Sequence, residues 1–117
     1  MQNNSLLRSF ANALAGVIHV LRTERNFKIE ALALVINLFL IVYLKVSALE
    51  ATVLLFICFS VLGLEMVNTC IEKTCDLVEP RFDARIKIIK DMAAGAVLLM
   101  ALASVAAALF IYLPYLV

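Results

Sequence analysis

Glu65, Asn68, Glu72 and Asp76 follow one of the apolar runs of this sequence. With Glu65 as origin and about 100° per helical residue, Asn68 falls near −60°, Glu72 near −20° and Asp76 near +20°. One helix face therefore carries all four. Three carboxylates stacked this way repel each other strongly where the dielectric is low, so they need a compensating cation, protonation or basic partners. A hard divalent ion such as Mg²⁺, held by one or two carboxylates plus phosphate oxygens, meets that need. The plainer reading is a solvated helix end, ion-paired to Lys73, Lys87 and Lys90. It accounts for Glu79 and Asp83 but poorly for Glu65, which ends an apolar run and precedes Met66-Val67.

Spacing alone leaves the chemistry open, but it excludes some routes. The only glycines are Gly16, Gly63 and Gly95, so neither a P-loop nor a glycine-rich kinase loop can be built. Any grip on phosphate must come from side chains and a metal. Cys58, Cys70 and Cys75 have no metal-ligand spacing, sit within or beside an apolar segment, and read as small core residues.

The elements that position these groups are read from hydropathy. Of 117 residues, 65% are hydrophobic, and the mean hydropathy is +1.05; a soluble domain this small could not hide so much apolar surface. The formal net charge of +1 conceals two charged clusters separated by long uncharged stretches. Leu7, Phe10, Ala11, Leu14, Val17, Ile18 and Leu21 recur at helical spacing while Arg8, Ser9, Asn12 and His19 take other positions, which predicts an amphipathic helix over about 5–27 lying in the membrane interface. MQNNSLLRSF has none of the features of a removable signal peptide. The first span is expected over 29–46, with Asn37 as an interhelical hydrogen-bond partner. The second covers 51–78. Its uncharged part, Ala51 to Leu64, is too short to cross a bilayer, so it continues through Glu65, Asn68 and Glu72; ionisable groups at this depth are functional candidates. Pro80 marks a turn, and the third segment covers 84–115, uncharged from Met92 onward. Its many alanines with Gly95 and Ser104 suit close helix approach, and Tyr112 and Tyr115 read as interface anchors.

Topology follows from the basic residues. Arg8, Arg22, Arg25 and Lys28 precede span one, and Lys73, Arg81, Arg85, Lys87 and Lys90 surround the connection between spans two and three, leaving only Lys45 in the other loop. The positive-inside rule makes the N-terminus and the second connection cytoplasmic. Glu24, Glu65, Glu72 and Lys90 then share the cytoplasmic side.

The block Glu65-Met66-Val67-Asn68-Thr69-Cys70-Ile71-Glu72-Lys73-Thr74-Cys75-Asp76 resembles the signature of the small prokaryotic diacylglycerol kinase and undecaprenol kinase family. Glu24-Arg25-Asn26-Phe27 before span one and Lys90-Asp91-Met92-Ala93-Ala94-Gly95-Ala96-Val97 opening span three are similar to that family as well, in the same order. The resemblance implies one all-α membrane lipid kinase domain over 1–117, an interfacial helix plus three transmembrane helices in a homotrimeric bundle with active sites at subunit boundaries. It implies a multi-pass protein of the bacterial cytoplasmic (inner) membrane that transfers the γ-phosphate of ATP to the hydroxyl of a lipid alcohol with Mg²⁺, its site on the cytoplasmic side. By the same resemblance Glu65 is the general base and, with Asn68, contacts the lipid substrate. Glu24 and Glu72 hold Mg²⁺ and, with Asp76, Lys90 and Asp91, bind the nucleotide. Phosphoryl transfer suits such a site, since positioning and charge neutralisation carry most of its catalysis. Cys70 and Cys75 depart from the family, which usually has Ala or Ser at the first place and an aliphatic residue at the second.

Thr23-Glu24-Arg25-Asn26-Phe27, Lys45-Val46-Ser47 and Ile111-Tyr112-Leu113-Pro114 look more like the undecaprenol kinase branch than the diacylglycerol kinase branch. Two other classes compete. A small multidrug transporter subunit would need four spans and a carboxylate in the first, and a holin-like or structural membrane protein would not need Glu24, the Glu65 to Asp76 face and Lys90 together.

Overall fold

The computed structural model describes residues 2–117, with side chains from Ser5 onward, as four helices: α1 (Gln2–Thr23), α2 (Arg25–Tyr43), α3 (Ala48–Val78) and α4 (Ala84–Leu116). The last three are long and apolar enough to cross a membrane. This is the expected all-α membrane protein of an amphipathic helix and three spans.

The element boundaries differ from expectation where local chemistry sets them. Glu24 takes an extended conformation (φ −108, ψ 118), so α1 stops at Thr23 and α2 begins at Arg25 rather than near 29. Buried Val20 and Phe27 flank that corner, and no glycine or proline signals it. α2 ends in a Schellman motif: Val46 N–H donates to Ile41 O at 3.1 Å and Lys45 N–H to Val42 O at 3.3 Å, with Lys45 at φ 54 where glycine is usual. α3 starts at Ala48 because Ser47 caps it, its Oγ accepting from Glu50 N–H at 3.2 Å. Asp83 caps α4 in the same way, accepting from Arg85 N–H at 2.8 Å. Hydrogen bonds from the Arg85 side chain and backbone pull the Asp83 carboxyl down to about 2.

α3 is the central helix. Leu54, Val61, Glu65 and Thr69 form its buried stripe, and it packs on both α2 and α4. Ala101, Ser104, Ala107 and Ala108 of α4 are half-buried, in keeping with small residues that allow close approach. Tyr112 joins α4 to α2: its Oη donates to Asn37 Oδ1 at 2.6 Å. Asn37 is thus the interhelical partner expected of it. Tyr112 is not an interface anchor as expected, because it is 8% exposed and its hydroxyl points inward to Asn37. Tyr115 stays at the far end and donates to Glu50 Oε1 at 2.6 Å.

Removing the Tyr112 hydroxyl should cost little but measurably. Tyr112→Phe is expected to lower stability by about 0.6 kcal/mol, and by no more than about 1.7, the range for side-chain hydrogen bonds inside membranes. Denaturation in mixed micelles checks this, and an unchanged midpoint would mean that the bond contributes nothing net.

Outside this narrow core the spans are apolar and uncovered, as Val42, Phe56 and Phe110 illustrate; lipid or neighbouring chains must meet those faces. On α1, Leu7, Phe10, Leu14, Ile18 and Leu21 are exposed along one stripe, as an interfacial helix requires. α3 has 31 residues and α4 has 33. At about 1.5 Å per residue each exceeds the ~30 Å hydrocarbon thickness, so their ends stand in the boundary layer. The C-terminal end of α3 and the N-terminal ends of α2 and α4 come together there.

Candidate active site

Glu65 lies about 26 Å along α3 from Ala48, near the edge of the hydrocarbon. Its side chain is inside the bundle and the residue is 7% exposed. Glu72 lies two turns further along α3, Glu30 on the first turns of α2 and Glu24 at the N-cap of α2.

One helical turn beyond Glu65, Asn68 Nδ2 donates to Glu72 Oε1 at 3.3 Å. Asn68 Oδ1 is buried and has no hydrogen-bond partner. A buried acceptor left unpaired costs free energy, so it marks a place for a donor or a cation. Glu24 stands at the N-cap of α2, yet its side chain makes no capping hydrogen bond. It is instead 3.6 Å from Lys73 Nζ. Further out, Lys90 Nζ donates to Asp76 Oδ1 at 2.8 Å, tying the ends of α3 and α4. Both residues line a cleft of about 320 Å³ with Glu79, Arg81, Phe82 and Lys87.

The one-face arrangement of Glu65, Asn68, Glu72 and Asp76 therefore holds, with the inner three facing the bundle and Asp76 turned to Lys90. Asp91 stands apart: its carboxylate pairs with Lys87 at 2.7 Å and does not line the cleft. The plainer reading, in which these carboxylates are tied to Lys73, Lys87 and Lys90, holds only for Asp76 and Lys90; Lys73 pairs instead with Glu24 and Lys87 with Asp91, and no basic group pairs with Glu65 or Glu72 among the described residues. Sequence reasoning missed Glu30, treating it only as a charge bounding span one. Glu30, Ala33 and Asn37 share one face of α2 and line a 120 Å³ crevice against α3 and α4; that spacing was the available signal. Cys70 also departs from expectation, being exposed, while Cys58 and Cys75 are half-buried and all three are free.

No group of three or more His, Cys, Asp or Glu side chains forms a ready metal cage among the described residues. The chemistry of Glu24, Glu72 and the orphaned Asn68 oxygen is nevertheless that of a hard cation, which takes one or two carboxylates and completes its shell with water and phosphate. The donors are all oxygen.

Comparison with known proteins identifies the family. The profile of the family described as prokaryotic diacylglycerol kinase matches residues 11–112. An undecaprenol kinase from Bacillus subtilis (strain 168) is 35% identical over 111 residues, covering 95% of this chain and 90% of its own. A diacylglycerol kinase from Synechocystis sp. is 40% identical over 102 residues, which is 86% of this chain and 58% of that protein.

Proposed function

Because this chain belongs to the prokaryotic diacylglycerol kinase family and is a kinase acting on lipid alcohols, we propose that ATP is its phosphate donor, Mg²⁺ its metal and undecaprenol its preferred acceptor over diacylglycerol. The observation that carries the reading is Glu65: a carboxylate buried at the membrane boundary, with no basic partner among the described residues, one helical turn from an unsatisfied Asn68 oxygen. A group in that position can meet a hydroxyl that never leaves the bilayer.

In this mechanism Glu65 takes the proton from the lipid hydroxyl as its oxygen attacks the γ-phosphorus. The new O–P bond forms, the bond to the bridging oxygen breaks, and ADP leaves. Asn68 orients the hydroxyl. Lys90 donates to phosphate oxygens from the mouth of the site, where Asp76 holds it. Glu24 and Glu72 would hold Mg²⁺, which supplies neutralisation of the phosphate charge. Asp91, one residue beyond Lys90, serves the nucleotide only by moving from Lys87.

The protein is assigned to the inner membrane with this site on the cytoplasmic side, a reading supported by the basic residues around it. It works as a homotrimer whose sites lie at subunit boundaries. The sites are shared between subunits, and neighbouring chains cover faces such as that of Val67 and Cys70, both exposed on α3.

Undecaprenol is favoured because the relative matched over nearly its whole length bears that name, and because the blocks around Glu24, Lys45 and Tyr112 resemble that branch. Side-by-side initial rates on the two lipids in one micelle system, with ATP and Mg²⁺, provide the test. Undecaprenol should be phosphorylated faster. Equal or faster turnover of diacylglycerol would reverse the preference.

A further inference from the structure

At the cytoplasmic end, Arg81–Glu79, Arg85–Asp83 and Lys87–Asp91 are local ion pairs. Two others join different helices: Lys90–Asp76 at 2.8 Å and Lys73–Glu24 at 3.6 Å. Each of these two engages a residue of the proposed nucleotide site. Lys90 is assigned to phosphate and Glu24 to the metal, so each is held by a counter-charge of its own chain. Lys73 has no role in the mechanism above, although it directly follows Glu72.

The Lys73 side chain is 57% exposed and that of Glu24 31%. A part-exposed pair at this separation contributes little and exchanges readily. When Glu24 turns to a cation it releases an ammonium beside the place where phosphate must sit, and a flexible lysine is suited to follow a phosphate as a point charge. The exchange leaves no charge unpaired.

We propose that Lys73 is a second phosphate-contacting lysine, which holds the Glu24 carboxylate while the site lacks nucleotide and exchanges it for phosphate oxygens when Mg²⁺ and ATP arrive. This rests on the Mg²⁺ and ATP assignment of the preceding subsection.

Lys73→Gln and Lys73→Arg in the full-length, detergent-solubilised protein test the exchange. Mn²⁺ binding without nucleotide is followed by electron paramagnetic resonance, ATP binding by equilibrium dialysis, and KM separately from kcat. Without its ammonium, Lys73→Gln should bind Mn²⁺ about two- to fivefold more tightly, since Glu24 is no longer held. Its Kd and KM for ATP should rise about tenfold, the loss of one charged hydrogen bond, with a smaller change in kcat. Lys73→Arg should keep both affinities close to wild type. Misfolding would weaken both ligands together, so opposite shifts are the signature. Unchanged ATP affinity, or weaker Mn²⁺ binding, in Lys73→Gln overturns the proposal. Glu24→Gln and Glu72→Gln separate the two possible failures. If they weaken Mn²⁺ binding while Lys73→Gln alters neither ligand, only the exchange is wrong; if they leave it unchanged, the metal assignment fails and the exchange with it.

Discussion

Glu65→Gln should abolish lipid phosphorylation while leaving the protein folded. The amide keeps the size and planar shape of the carboxylate, so the buried stripe of Leu54, Val61, Glu65 and Thr69 retains its packing. What is lost is the ability to accept the hydroxyl proton, worth about 10²–10⁴-fold for a positioned base. Stability supplies a second, independent readout. Glu65 is buried and has no basic partner among the described residues, so replacing it by a neutral amide breaks no ion pair and removes a charge that is costly to bury, at a site kept for function rather than stability. The variant is therefore expected to unfold at the wild-type temperature or above it, with turnover at background. More than about a tenth of wild-type turnover would remove Glu65 as the base. Loss of activity with a lowered melting temperature would instead point to a structural role.

Glu24→Gln and Glu72→Gln carry the second-largest expected effect, on the Mg²⁺ requirement. Gln at 72 can still accept the hydrogen bond from Asn68 Nδ2 that Glu72 takes at 3.3 Å, so the substitution removes charge and spares local geometry. At position 24 it removes the contact to Lys73, a part-exposed pair worth at most about 1 kcal/mol. Each variant should need at least about tenfold more Mg²⁺ for half-maximal rate, since even outer-shell changes at metal sites cost 10- to 100-fold. The two residues lie on different helices but hold one ion, so the double variant should fall short of the product of the single effects. Unchanged Mg²⁺ titrations in both single variants would remove these residues as ligands, and full multiplicativity would assign them to separate sites.

Much of the fold was legible because lipid imposes simple rules. The uncharged run from Met92 is long enough to span by itself, and the shorter runs 31–44 and 51–64 become spans only by continuing through their polar flanks. The one-face arrangement of Glu65, Asn68 and Glu72 was equally legible, since residues three and four apart share a helix face whatever surrounds it. What stayed hidden depends on which neighbour each face meets. Tyr112 and Tyr115 are the same residue type three positions apart near one helix end, yet one bonds Asn37 inside the bundle and the other Glu50 outside. Glu30 resembled a boundary charge until packing set it in a crevice with Val61 and Ser104. The corner at Glu24 has no local breaker, and the burial of Val20 and Phe27 on either side is a tertiary fact.

Following the γ-phosphate itself tests the central claim most directly. The purified chain in micelles containing undecaprenol receives Mg²⁺ and ATP labelled in either the γ- or the α-phosphate, and the extracted lipid is counted. Label should enter the lipid from the γ-position only, one phosphate per ADP formed, and the Glu65→Gln protein should transfer none. Formation of ADP with no labelled lipid, from either undecaprenol or diacylglycerol, would contradict a kinase in which Glu65 delivers a membrane alcohol to ATP.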